Sequence, residues 1–122
     1  MQNTICWTDI PVLDLDRAIA FYSAVLGAEV IKEGGPGFSF GLLPHGDNNV
    51  SGCLYVGEND KPSATGPLLY LNAAGRLDDA IAAVTAHGGV VVQEKTKIGP
   101  HGFRAVFLDT EGNRLALHSP TE

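Results

Sequence analysis

Cysteine is scarce: Cys6 and Cys53 are the only two in 122 residues. A disulfide framework or a four-thiolate zinc site therefore cannot be what holds the chain together. Each lies in an apolar run, so both are expected to be reduced, buried thiols. A basic cluster is missing as well. The eight Lys and Arg (Arg17, Lys32, Lys61, Arg76, Lys95, Lys97, Arg104, Arg114) are scattered against fourteen Asp and Glu, for a net charge of −6. Nucleic acid and anionic membrane are poor partners for such a surface. No apolar run approaches the ~20 residues that span a bilayer. Met1-Gln2-Asn3-Thr4 lacks the charged-then-apolar pattern of a secretory signal, so a cytoplasmic location is expected. Fifteen Gly and seven Pro stay below a low-complexity composition.

What is present is an ordinary folded composition, 44% hydrophobic and 18% charged. A chain of this length forms one domain and buries roughly 65% of its unfolded surface. It is internally repeated. Residues 15–30 align with 77–92 at an offset of 62: Leu15, Asp16, Ala18, Ile19, Ala20, Ala24, Gly27 and Val30 recur as Leu77, Asp78, Ala80, Ile81, Ala82, Ala86, Gly89 and Val92. An offset of half the chain means two copies of one unit, module 1 (1–60) and module 2 (65–122), joined by the turn-rich segment 59–66.

Both copies show the same periodicities. In the first, a strand over Thr4–Val12 leads to Asp14, which can cap a helix with the apolar face Leu15, Ala18, Ile19, Tyr22 and Val25/Leu26, stopped by Gly27. Strands Ala28–Lys32, Phe38–Leu43 and Gly52–Val56 follow, with a turn at Gly34–Gly37. In the second, strand Pro67–Leu71 leads to helix Leu77–Ala86, then strands Val90–Glu94, Phe103–Leu108 and Arg114–His118, with turns at Gly99–Gly102 and Asp109–Asn113. The last turn reads as structural, since Gly112 supplies the positive φ. The predicted fold is α+β: two βαβββ modules whose sheets curve into a mixed-sheet cup with the helices outside.

Ile10-Pro11-Val12-Leu13-Asp14-Leu15-Asp16-Arg17-Ala18-Ile19-Ala20-Phe21-Tyr22, Gly27, Gly102-Phe103 and Asp109-Thr110-Glu111-Gly112-Asn113 resemble the vicinal oxygen chelate superfamily, which includes glyoxalase I, bleomycin-resistance proteins and extradiol dioxygenases. The resemblance covers essentially the whole chain. It implies the duplicated fold, a homodimer and, in the family's enzymes, a divalent metal held by one residue from the first and one from the last strand of each module. Those places fall on Trp7, Cys53, Leu68 and Ala116. At least three are not ligands. The expectation is a metal-independent binder of a small organic molecule, without a cofactor. The alternative is a metal-dependent lyase, isomerase or dioxygenase with an unconventional ligand set, such as His118 with Cys53 and a carboxylate.

Strand alternation sorts the candidate ligand-contacting residues. Trp7 shares a face with Asp9, Cys53 with Tyr55, Leu68 with Tyr70 and Asn72, and Ala116 with Arg114 and His118. The opposite faces (Ile10, Val12; Leu69, Leu71; Leu115, Leu117) should pack on the helices. Each of the ten has a plainer reading: Trp7 as core, Asp9, Tyr70 and Asn72 as partners for backbone, His118 as a structurally bonded side chain. Cys53 reads as an inert thiol, since no basic residue adjoins it. His101 belongs to a hairpin tip at the rim.

Overall fold

The computed structural model describes residues 3–122. The elements run β1 (Thr8–Pro11), α1 (Leu15–Leu26), β2 (Ile31–Gly35), β3 (Phe38–Leu42), β4 (Gly52–Tyr55), β5 (Leu69–Asn72), α2 (Leu77–Ala86), β6 (Val90–Lys97), a single 3-10 turn at Gly99–His101, β7 (Phe103–Leu108) and β8 (Arg114–Ser119). Two four-stranded sheets result, ordered β1-β4-β3-β2 and β5-β8-β7-β6. In each, the first strand pairs parallel with the last and the other pairs are antiparallel. This is the α+β two-module cup, and its sheets are not closed on one another.

Local chemistry explains both helices. Asp14 is extended and its carboxylate accepts from Arg17 N at 3.1 Å, capping α1. Ala18, Phe21, Tyr22 and Val25 then fall on one buried stripe. Gly27, at φ 66°, ends it. In α2 the buried stripe is Leu77, Ala80 and Val84, and the N-cap residue Arg76 makes no side-chain cap. Its guanidinium reaches the other helix instead: Nη1 donates to Val25 O at 2.6 Å, placing a cation at the carbonyl end of α1.

The helices pack together and against the inner sheet faces. Ile10, Val12, Leu54, Leu115, Leu117 and Phe107 join the helix stripes in one core drawn from both halves, with Leu69 and Leu71 partly buried against it.

The turn at Asp109–Asn113 does more than close a hairpin. Asp109 Oδ1 accepts from the backbone N of Glu111 and Asn113, both at 2.8 Å. Its Oδ2 accepts from the buried Tyr22 hydroxyl at 2.5 Å and from Asn113 Nδ2 at 3.1 Å. Asn113 Nδ2 also reaches Pro11 O at 2.8 Å. Glu111, whose side chain is wholly shielded from solvent, takes Leu13 N, Asp14 N and Arg17 Nη2 on Oε1 at 2.8–2.9 Å, and Arg17 Nε and Thr110 Oγ1 on Oε2 at 2.8 and 2.6 Å. A turn of the second half thus satisfies the free donors where α1 begins in the first. Burial alone would raise the Glu111 carboxyl; the bonds from Arg17, Thr110 and the two amides outweigh it and hold it down at about 2.

Several sequence-based expectations are corrected. β1 begins at Thr8, not Thr4, because its parallel partner β4 supplies only four residues and Gly52 is opposite Thr8. The unpaired Ile5 and Trp7 are then 62% and 48% exposed. Cys6 beside them is exposed rather than buried, and Cys53 is half-buried. Strand β2 lies at 31–35 instead of 28–32, with its turn narrowed to Pro36-Gly37 and Gly37 at φ 88°. β5 starts after Leu68, and β6 runs on to Lys97 through two register shifts. No helix among the described residues is long and apolar enough to cross a membrane.

Candidate functional site: the groove between the modules

β1 and β5 are edge strands of their sheets, and the space beside them is a groove roofed in part by the 61–67 connection. Its largest cavity, about 560 Å³, is lined by Trp7, Asp9, Lys61, Leu68, Tyr70 and Arg114 among others. An apolar cavity of about 480 Å³ adjoins it, sharing Ile5 and Tyr70 and adding Leu43, Val50 and Asn72. A shallower one of about 360 Å³ contains Tyr70, Asn72 and His118.

On the first sheet, register puts Asp9 beside Cys53. Asp9 Oδ1 accepts from Trp7 Nε1 at 2.9 Å and from Cys53 Sγ at 3.3 Å. Burial, then the bond to Asp9 and its charge, pushes the Cys53 thiol up to about 11. At neutral pH it is a donor and no nucleophile. Tyr55 donates to Asp60 Oδ2 at 2.8 Å, and that bond pushes its hydroxyl up to about 12.

On the second sheet, β7 and β8 place Arg104 opposite His118, and β5 and β8 place Asn72 beside His118. Arg104 Nη1 donates to the Tyr70 hydroxyl, and its Nε to Gln93 Oε1 at 3.1 Å. The guanidinium carbon is 5.9 Å from the Tyr70 ring centre. His118 Nε2 lies 2.6 Å from His101 O, so that nitrogen carries the proton and the imidazole ties the strand to the rim. Asn72 Oδ1 accepts from Ala74 N at 2.8 Å, a local turn. Arg114 Nη2 donates to Gly66 O at 3.1 Å, while its Nε is shielded from solvent with no partner.

Of the ten sequence-selected residues, Trp7, Asp9, Leu68, Tyr70 and Arg114 meet in the largest cavity. Asn72 and His118 lie in the smaller ones. Cys53 and Tyr55 share the face but act through Asp9 and Asp60. Ala116 is 0% exposed, so no ligand reaches it: at the sheet centre so small a side chain lies between the larger Tyr70 and Val106 on the same face. Sequence reasoning missed Lys61, Ser63 and Thr65, taken only as linker, and Arg104, which alternation from Phe103 could have flagged.

The metal implied by the family resemblance does not fit these residues. Trp7, Leu68 and Ala116 offer no donor, which leaves Cys53 as the only ligand among the four places. Cys53 and His118 stand on different sheets, each bonded elsewhere. Among the described residues no three His, Cys, Asp or Glu side chains converge on a metal position.

Two strand-helix-strand units with open sheet faces framing a groove define a two-module α+β cup protein. The chain belongs to the Glyoxalase/Bleomycin resistance protein/Dioxygenase superfamily, whose profile matches residues 4–117. It is 30% identical over 119 residues to the Mycobacterium tuberculosis protein named "Putative glyoxylase CFP32", covering 97% of this chain but 44% of that one. It thus spans under half the length of the curated relatives it matches. A glyoxalase/bleomycin resistance protein of Albidiferax ferrireducens T118 superposes with TM-score 0.70 at 20% identity, covering 96% and 99% of the two chains. A glyoxalase I mutant of Zea mays does so with TM-score 0.71 at 19% identity, covering 94% of this chain and 45% of that one. At these identities the superpositions show the fold alone.

Proposed function

We propose that the chain binds a small organic molecule in the groove between its modules, without a metal, and works as a homodimer of single-domain chains with modules at 1–60 and 65–122. The observation that carries this is the cavity of about 560 Å³, within the size range of small-molecule sites, with Trp7, Leu68 and Tyr70 as apolar walls and Asp9 and Arg114 as polar groups. The metal-dependent alternative finds no donor set in the groove to support it.

The dimer reading is supported by the open sheet faces. Ile31 and Phe38 are 50% and 62% exposed, on the face that register assigns to Asp9 and Glu33. The corresponding face of the second sheet carries Arg104, Arg114 and His118. A two-fold axis bringing Ile31 and Phe38 of two copies together would cover the same apolar patch on both.

The test uses the only tryptophan. Small aromatic metabolites are titrated while Trp7 emission and melting temperature are followed, with Trp7→Phe as the silent control. Ligands of the groove should shift both readouts. Stabilising ligands that leave Trp7 emission unchanged would place the site elsewhere. Sedimentation equilibrium should give twice the 12.8 kDa chain mass; a single species at the chain mass at micromolar concentration would refute the dimer.

A further inference from the structure

Charge in the groove points to the ligand's sign. The chain is acidic overall, at −6, and pairs several of its cations with carboxylates: Arg17 with Glu111 at 2.8 Å, Lys32 with Asp16 at 2.9 Å and Lys95 with Asp78 at 3.0 Å. Arg76 and Lys97, which do not line the cavity, have no such partner among the described residues, and neither do the three cations at the groove. Lys61 Nζ reaches only Gly57 O at 3.1 Å, Arg104 reaches Gln93 and Tyr70, and Arg114 reaches Gly66 O. Among the described residues none of the three has a carboxylate within ion-pair distance. Lys61 and Arg114 line the largest cavity, and Arg104 is bonded to the hydroxyl of Tyr70, which lines it too.

The cavity also holds one acid, Asp9, whose Oδ1 accepts from Trp7 and Cys53. The balance lies on the cationic side: Lys61 and Arg114 both line the cavity, and each donates only to a backbone carbonyl. A guanidinium or ammonium with only neutral carbonyl partners bonds more strongly to an anionic oxygen than to a neutral one.

We infer that the groove is built for an anionic ligand, an aromatic carboxylate, whose carboxylate meets Arg114 with Lys61 nearby and whose ring lies between Trp7 and Tyr70. This rests on the groove being a ligand site and adds the sign and chemical class of what it takes. A cationic ligand would face two positive charges against the single carboxylate of Asp9. Lys61 belongs to the 61–67 connection, so the segment read from sequence as a plain linker becomes part of the recognition surface.

Calorimetry at low ionic strength with three probes of one shape tests this: 1-naphthylacetate, the neutral 1-naphthylacetamide and cationic 1-naphthylmethylammonium. The carboxylate should bind at least about tenfold tighter than the amide, the step expected for a hydrogen bond to a charged group. The ammonium should bind most weakly. Arg114→Gln should bring the carboxylate to within about threefold of the amide and leave the amide unchanged. Lys61→Gln, on an exposed connection, should cut carboxylate affinity less and flatten its salt dependence, and it serves if Arg114→Gln melts early. Equal binding of carboxylate and amide, or tightest binding of the ammonium, would overturn the charge assignment while leaving the cavity reading intact. Failure of all three probes to bind would overturn the cavity reading and the inference with it.

Discussion

Replacing Glu111 with Gln tests whether the two halves are held together by the terminal turn. The carboxylate accepts five hydrogen bonds, two of them from Arg17 and two from the amides of Leu13 and Asp14. An amide has only one acceptor oxygen. With that oxygen facing Leu13 N and Asp14 N, the NH₂ group confronts Arg17 Nε donor to donor. Losing one charge-assisted bond and leaving a donor unmatched should cost about 3 kcal/mol at pH 7. Linkage gives a second route to the same figure. A carboxyl lowered from 4.5 to about 2 corresponds to roughly 3 kcal/mol of stability, reduced to about 2 once the half-exposed Arg17 is screened by solvent.

The pH dependence is the sharper signature. Because the folded value is depressed, this stability is fully present above pH 4.5 and is lost as pH falls from there through about 2. Urea unfolding at pH 7 should therefore show the Gln variant less stable by about 2 to 3 kcal/mol with an unchanged m-value. At pH 2.5 the gap should close to under about 1 kcal/mol. A gap below about 0.5 kcal/mol at pH 7, or one that does not narrow in acid, would refute the clamp.

Three further outcomes are expected. Tyr22→Phe removes a buried donor to Asp109 Oδ2, which keeps Asn113 Nδ2, and should destabilise by about 1 to 3 kcal/mol in the same assay. Gly52→Ala would drive a Cβ into the Thr8 carbonyl oxygen across the β1–β4 pair; a loss of about 1 to 3 kcal/mol is expected, with a shift in Trp7 emission as β1 moves. Iodoacetamide at pH 8 should label the exposed Cys6 quickly and Cys53 slowly, since a thiol raised to about 11 keeps only roughly one part in a thousand as thiolate; mass spectrometry of tryptic peptides reads both rates.

Helix limits were legible in the sequence because their causes are local. Asp14 caps three residues away, Gly27 stops the next turn and the apolar stripe repeats every three or four positions, so Leu15–Leu26 and Leu77–Ala86 follow from a short window. Strand faces were equally readable, since alternation needs no knowledge of the partner: Ile10, Val12, Leu115 and Leu117 are buried while Trp7 and Tyr70 look outward. Strand ends were not, because a strand is as long as its partner allows. β1 stops at Thr8 where β4 stops at Gly52.

The chemistry that joins the halves lies beyond any local pattern. Glu111 meets Leu13 from 98 residues away, Arg76 reaches Val25 from 51 and Tyr22 finds Asp109 from 87. The repeat made two modules visible, but it could not say which donors of one the other would satisfy. Nor could alternation tell that Ala116 is fully buried among its sheet neighbours or that Lys61 and Arg114 line one cavity. Those facts depend on how the two sheets are set, and a buried polar group selects that setting only when its distant partners arrive together.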